Sequence, residues 1–290
     1  MDPENHVNHP TPFIVGVGRS GTTLLRMMLD SHPDLAIPPE THFLPELIKR
    51  RQTIDADDFL ATLVNAPVWG DFKLSADQLR RAIEEISPFD LATCTRTFFR
   101  IYAQRFGKSR WGDKTPIYNL HMTGIHSLLP EARFIHIIRD GRDVALSLRH
   151  LWFGPGHRIE DQATDWARRI RKARAQARLL PRYLEVRFES LIEEPEVNLR
   201  QICEFIELPF DQTMLAYTAR AGARLEELGD RQMPGGKTAH AADRRKVHAR
   251  TTDSPDRSRV QRWKTEMSVS EREIFAATAG ELLEELGYPV

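Results

Sequence analysis

Eight residues near the N-terminus, Gly16-Val17-Gly18-Arg19-Ser20-Gly21-Thr22-Thr23, have the composition of an anion cradle. Glycines allow a tight turn that aims backbone N–H groups inward, and Thr22 and Thr23 add hydroxyl donors. The apolar run Pro12–Val17 reads as a strand before the loop. After it, Leu24, Leu25, Met28 and Leu29 share one side of a helix expected over Thr22–Ser31. A strand–loop–helix unit of this kind points a helix N-terminus, with its partial positive charge, at a bound phosphate. Compared with the triphosphate-binding pattern GxxxxGKS/T, Gly16 and Gly21 are correctly spaced. Thr22 stands where lysine belongs, however, and the cation is Arg19 inside the loop. The loop therefore suits a phosphate-like group better than a magnesium-bound triphosphate. A glycine turn that only packs a strand against a helix is the plain alternative.

The elements needed to position this loop are legible along the chain. A short strand, Leu35–Ile37, stops at Pro38–Pro39, and the region from about Thr41 to Phe106 is mostly helical. Arg110–Asp113 reads as a short strand or loop, and Tyr118–Leu129 as a helix. Arg133–Ile138 is the strongest central strand, followed by a helix over Arg142–Leu151. Asp161–Leu180 has the buried stripe of a long helix, marked by Trp166, Ile170, Ala173, Ala177 and Leu180. Tyr183–Phe188 is a further strand, Pro195 opens a helix to about Ile206, and a last helix spans Ser270–Leu286. Strands alternating with helices imply an α/β fold: a P-loop-like three-layer sandwich with a central, mainly parallel sheet and helices on both faces. Residues 1–11 read as a flexible tail and 12–290 as a single domain. Within it, Gly222–Arg257 carries few apolar residues and reads as a loop or lid.

Composition excludes several classes. Lys+Arg and Asp+Glu number 41 each, so a net charge of zero argues against a non-specific nucleic-acid binder. The two cysteines, Cys94 and Cys203, form no CxxC and no zinc-spaced Cys/His cluster, so no metal is expected and the thiols read as buried and inert. No apolar stretch approaches the ~18 residues of a membrane span. With no secretory signal of the usual kind, a reducing, cytoplasmic setting is expected.

The segment GRSGTTLLRMMLDSHPDL resembles the 5′-phosphosulfate loop of the sulfotransferases that use 3′-phosphoadenosine 5′-phosphosulfate. RFIHIIRDGRDVALSL resembles their 3′-phosphate motif. VRFESLIEEPEVNLRQICEFI is similar to a later strand-and-helix block of that superfamily. QRWKTEMSVSEREIFAATAGELLEELGYPV is similar to the tail of bacterial members, and the nearest branch is that related to tyrosylprotein sulfotransferases. The likeness covers Pro12 to Tyr288.

That resemblance implies roles. Gly18, Arg19, Ser20, Gly21, Thr22 and Thr23 would hold the 5′-phosphosulfate, with Arg19 also serving catalysis. Arg139 and Ser147 would hold the 3′-phosphate, a cation and a hydroxyl at a strand end and two turns into the next helix. Phe188, where the family carries tyrosine, would face the adenine or else be a core aromatic. Arg262 would touch the nucleotide. Glu40, in IPPETHF, would be the base for an acceptor hydroxyl, with His42 its competitor. Lys114, in RWGDKTPIYN, would steady the leaving oxygen. The plainer readings are a capping or ion-paired Glu40, a Lys114–Asp113 pair, and an Arg139 salt bridge to Asp140 or Asp143. A basic surface on the long helix (Arg168, Arg169, Arg171, Lys172, Arg174, Arg178) is a solvated face or a seat for an acidic acceptor. A second cluster (Arg244, Arg245, Lys246, His248, Arg250) would close over the nucleotide. The acceptor is a small molecule, carbohydrate, lipid or peptide carrying a hydroxyl. The other readings are a P-loop kinase-like phosphotransferase and a non-catalytic anion-binding protein of the same fold.

Overall fold

In a computed structural model of the chain, which describes residues 9–149, 151, 154–233 and 235–290, the strand before the glycine loop is central. In chain order the elements are β1 (Thr11–Gly16), α1 (Thr22–Asp30), β2 (Leu35–Ala36), α2 (Leu44–Lys49), α3 (Ala56–Val64), α4 (Ala76–Glu84) and α5 (Leu91–Gln104). Next come β3 (Arg110–Trp111), β4 (Asp113–Lys114), α6 (Met122–Leu128), β5 (Ala132–Ile138), α7 (Gly141–Leu148) and α8 (Ile159–Ala177). The chain continues through β6 (Tyr183–Arg187), α9 (Phe188–Glu193), α10 (Pro195–Phe205), α11 (Thr218–Leu225), β7 (Arg231–Gln232) and β8 (Thr238–Ala239). It ends with α12 (Ala241–His248), α13 (Trp263–Glu266) and α14 (Val269–Glu285).

Strands β4-β1-β5-β6 form a parallel sheet, with Ile14 opposite Lys114 and Gly16 opposite Ile137. Strand alternation sends neighbouring side chains to opposite faces. Phe13, Val15 and Phe134 enter one core with α2 to α6. Ile14, Ile135 and Ile137 enter another with α1 and α9 to α11. A third apolar cluster, around Trp166 and Phe275, joins α7, α8 and α14 beyond the sheet's end at Val17 and Ile138. The α/β sandwich read from the sequence is therefore the observed fold. The separate pair β2–β3 carries Leu35 opposite Arg110 and brings the chain after α1 back beside β4.

Three expectations need correction. The segment 222–257 is not a structureless loop: it holds the end of α11, the antiparallel hairpin β7–β8 and α12. Its scarcity of apolar residues reflects small elements laid on the surface rather than missing structure, since α12 has no buried residue. Thr11, assigned to the tail, already pairs with Ala132 in β1; the tail's residues 1–8 lie outside the described residues. Phe188 opens α9 instead of closing a strand. Residue 150 of the helix expected over Arg142–Leu151 is likewise outside the described residues. Cys94 and Cys203 are buried as expected, and burial pushes both thiols up to about 11.

Candidate active site

The C-terminal ends of β1, β4 and β5 open on a cleft of about 1500 Å³, lined by the glycine loop, Glu40, Lys114, Arg139, Ser147 and residues of 225–259. Single-ligand pockets usually measure ~300–1,000 Å³, so this one has room for a nucleotide and a second molecule together.

At one end of the cleft the glycine loop turns with φ of 72° at Arg19 and 96° at Gly21. Gly21 is demanded twice over. Its left-handed backbone strains any side chain, and a Cβ there would lie 2.3 Å from Phe188 Cδ2. The first turn of α1 has no side-chain cap, so its backbone N–H groups remain for an anion. Ser20 Oγ is buried with no partner among the described residues. The two anion motifs meet in space: Arg139 Nη1 donates to the Arg19 carbonyl at 3.1 Å, and Arg19 Nε donates to Ser147 Oγ at 3.1 Å. Phe188 lies under the Arg139 guanidinium, 4.3 Å from ring centre to carbon, so one ring supports both Gly21 and Arg139. Arg139 also sits 3.7 Å from Asp143, the pairing that the plainer reading anticipated. The two readings are compatible, because a buried cation needs a counter-charge when no ligand is bound.

Further cations gather on the same wall. Arg250 and Arg259 line the cleft. Burial, then the charges of Arg262, Arg250 and Arg139, push the Arg259 guanidinium down to about 10. Like charges held together against their mutual repulsion make this wall electropositive. Arg139 Nη2 donates to the Arg259 carbonyl at 2.7 Å and Arg19 Nη1 to the Val247 carbonyl at 3.3 Å. The segment after β8 is thus tied to both anion motifs. Arg262, by contrast, is clasped by Glu266, with Nε 2.7 Å from Oε1, and is not part of the cleft wall. Its i,i+4 partner on the same short helical turn captures it, and Arg259 lines the cleft instead. No local signal distinguished these two arginines in the sequence.

On β4, Lys114 and Asp113 are neighbours and point to opposite sides of the sheet. Lys114, opposite Ile14, reaches the α1 side, where Nζ lies 2.6 Å from Glu40 Oε1 and 3.3 Å from Thr23 Oγ1. The Lys114–Asp113 pair of the plainer reading therefore does not form, whereas the ion-paired Glu40 of that reading does. Asp113 Oδ2 instead accepts from Thr41 Oγ1 at 2.8 Å and from Thr115 Oγ1 at 3.3 Å, while Thr41 Oγ1 also meets Tyr118 Oη at 2.8 Å. Thr41 N donates to Thr115 Oγ1 at 2.9 Å. This buried knot pins Thr41, and with it the residues on either side, Glu40 and His42. His42 is held at φ 57°, and its Nε2 lies 3.0 Å from Glu40 Oε2. Burial alone would raise the Glu40 carboxyl. Lys114 and His42 outweigh it and hold the group well below the ordinary carboxylate range. Burial, with only partial relief from Glu40, lowers the ammonium of Lys114.

His248, counted above among basic residues, lines the cleft as a neutral imidazole. Its partial burial in the cleft at the end of α12, then the Lys114 charge, pushes it down to about 3. On α8, Arg168 and Arg169 pair with Asp165, Arg171 with Glu281, and Arg174 with Glu185, which makes that surface a salt-bridged face.

Asp113 carries a pH signature. Burial, opposed by its threonine hydrogen bonds, pushes its carboxyl up to about 7 from an ordinary 3.8. Between those values the folded chain binds a proton that the unfolded chain has released. This group's contribution is therefore full below about pH 4 and declines as pH rises through about 7. Asp113→Asn, which keeps an acceptor for Thr41, should flatten the fall in melting temperature between pH 5 and pH 8 in thermal scans. An identical fall in wild type and variant would refute this account of Asp113.

Comparison with known proteins agrees with this geometry. The profile described as "Sulfotransferase family" matches residues 10–212. The chain belongs to the sulfotransferase family. It is 26% identical to nodulation protein NoeE of Sinorhizobium fredii over 95% of this chain and 65% of that one. It is 29% identical to protein-tyrosine sulfotransferase A of Caenorhabditis elegans over 74% of this chain and 55% of that one, so it spans little more than half of that relative's length. In fold it is similar to the sulfotransferase domain of the Synechococcus PCC 7002 olefin synthase, with a TM-score of 0.61 at 22% identity over 100% and 98% of the two chains. It is also similar in fold to mouse sulfotransferase SULT7A1 complexed with PAP, with a TM-score of 0.51 at 13% identity over 95% and 88%. Among the described residues no helix is long and apolar enough to cross a membrane.

Proposed function

We propose that this chain, acting as one domain from residue 12 to 290, transfers a sulfuryl group from 3′-phosphoadenosine 5′-phosphosulfate to an acceptor hydroxyl by in-line displacement. The observation that carries the reading is the convergence of two separate anion seats, the Gly18–Thr23 loop and Arg139 with Ser147, through the Arg139–Arg19 and Arg19–Ser147 hydrogen bonds. A donor with phosphate at both the 3′ and 5′ positions would engage both. In this assignment the loop N–H groups and Arg19 hold the phosphosulfate, and Arg139 and Ser147 hold the 3′-phosphate. Arg259 and Arg250 supply further positive charge from the segment folded over the cleft. Phe188 supports Gly21 and Arg139 from below and, as part of the cleft lining, remains placed to meet an adenine.

The chemistry then divides between Glu40 and Lys114. A new bond forms between sulfur and the acceptor oxygen as the bond from sulfur to the bridging phosphate oxygen breaks. The hydroxyl proton passes to the Glu40 carboxylate, and Lys114 donates to the bridging oxygen as charge grows there. The 2.6 Å Lys114–Glu40 pair suggests an order of events. A Lys114 turned towards the donor releases Glu40 from its strongest partner and makes it a better base. A kinase-like phosphotransfer is served less well by threonine at position 22, and a non-catalytic anion-binding role makes no use of a carboxylate and an ammonium that both line the cleft.

Adenosine 3′,5′-bisphosphate, the spent donor, should bind without magnesium. At ligand near 100 times its dissociation constant it should stabilise the fold by about 2.7 kcal/mol. Arg139→Ala should abolish the preference for the bisphosphate over adenosine 5′-monophosphate, as read by calorimetry. Equal affinity of the wild-type chain for the two nucleotides would overturn the donor assignment.

A further inference from the structure

Hairpin β7–β8 pairs Arg231 with Ala239 and Gln232 with Thr238. Strand alternation places Arg231, Met233, Lys237 and Ala239 on one face, and all four line the cleft; Thr238 lines it as well, whereas Gln232 does not. Glu40, which lines the same cleft, is the strongest opposite charge acting on Arg231. Arg231 Nε is buried without a hydrogen-bond partner, and no carboxylate lies within ion-pair reach of its guanidinium among the described residues. The neighbouring Arg244 differs, because both oxygens of Asp71 hold it, at 2.9 and 2.6 Å.

Charge bookkeeping narrows the ligand. Glu40 is already matched by Lys114, and His248 is neutral. The hairpin cations Arg231 and Lys237 also line the cleft, and neither is in an ion pair among the described residues, which leaves positive charge on this wall. A half-buried guanidinium with free donors is complementary to a planar carboxylate, which it can grip with two parallel hydrogen bonds.

We infer that Arg231 anchors an anion subsite on the acceptor side of the cleft, and that the acceptor is a hydroxyl compound bearing a carboxylate. The inference rests on the sulfotransferase reading, since it takes Glu40 to mark the reacting hydroxyl. Binding energy from this remote carboxylate would orient the hydroxyl towards Glu40, which is how non-reacting parts of a substrate assist catalysis.

The test measures dissociation constants of 4-hydroxyphenylacetate, its methyl ester and 4-hydroxyphenylmethanesulfonate by calorimetry. Wild type, Arg231→Ala and Arg231→Lys are compared, each with and without saturating adenosine 3′,5′-bisphosphate. Wild type should prefer the carboxylate over the ester by roughly 10- to 100-fold, the range of a charge-assisted hydrogen bond. Arg231→Ala should bring that ratio near one with its bisphosphate affinity unchanged, and Arg231→Lys should recover part of it. Equal binding of acid and ester by wild type, no binding of either, or a preference that survives Arg231→Ala overturns the subsite. Tighter binding of the sulfonate than of the carboxylate overturns the carboxylate assignment. Failure of the bisphosphate to bind strikes the sulfotransferase reading instead, and the titrations without nucleotide then still judge Arg231.

Discussion

Glu40→Gln should lower turnover by ~10²–10⁴-fold, the usual loss when a general base is removed, and leave bisphosphate affinity nearly intact. The amide keeps the size of the carboxylate but cannot take a proton. The defect should shrink across a series of phenol acceptors of rising acidity, because an acidic phenol needs less help to lose its proton. The pH profile separates the two candidate bases. Lys114 and His42 hold the Glu40 carboxyl well below its ordinary value of 4.5. A base must be unprotonated to work, so the rate should stay level from neutral pH down into the carboxylate range and fall only there. Wild-type turnover in Glu40→Gln with every phenol, or an acid limb in the imidazole range that vanishes in His42→Ala, would remove Glu40 from the role.

Lys114→Ala should slow every acceptor alike, by ~10²–10³-fold, as loss of one preorganised donor to a developing oxyanion does. Bridging-oxygen charge develops whichever hydroxyl attacks, so this defect should not track phenol acidity. A second effect follows from the ion pair. Lys114 is the main partner that holds the Glu40 carboxyl down, so its removal should move the acid limb of the rate profile to higher pH. Lys114→Arg should restore the position of that limb more fully than it restores turnover, because charge is retained while the donor's position changes. An unmoved acid limb in Lys114→Ala would show that the 2.6 Å pair does not govern the base. A defect confined to weakly acidic phenols would reverse the two roles.

The phosphate loop was readable because its information is local. A strand, a turn that needs glycine, and a helix lie within about twenty consecutive residues, and hydrophobic periodicity reports each of them. Arg139 and Ser147 were readable for the same reason, as a strand end and the helix after it. The region 222–259 was not. Its hairpin and short helix bury little of their own, so they leave no apolar period to detect, and their order comes from contacts to distant residues. Examples are Tyr217 Oη on the Asp253 carbonyl at 2.5 Å and Arg244 on Asp71. That is why Arg231 and Arg259 passed unnoticed while Arg262, beside a conspicuous tryptophan, drew the nucleotide assignment.

The chain's residue order by itself determined the parallel α/β frame, the anion loop with its missing lysine, and the identities of Glu40, Lys114 and Arg139 as chemically able groups. It could not decide which partner each would meet. A strand's two-residue period puts Lys114 and Asp113 on opposite faces, but which face holds the cleft depends on β4 pairing with β1 and on α1 packing above. Only the folded chain joins Lys114 to Glu40, seats Asp113 among hydroxyls from residues 41 and 115, and sets Phe188 against Gly21. The reason is physical. Periodicity and turn chemistry act between residues a few positions apart, whereas an ion pair, a buried carboxyl or a ring on a glycine requires atoms that the chain brings together from far along its length.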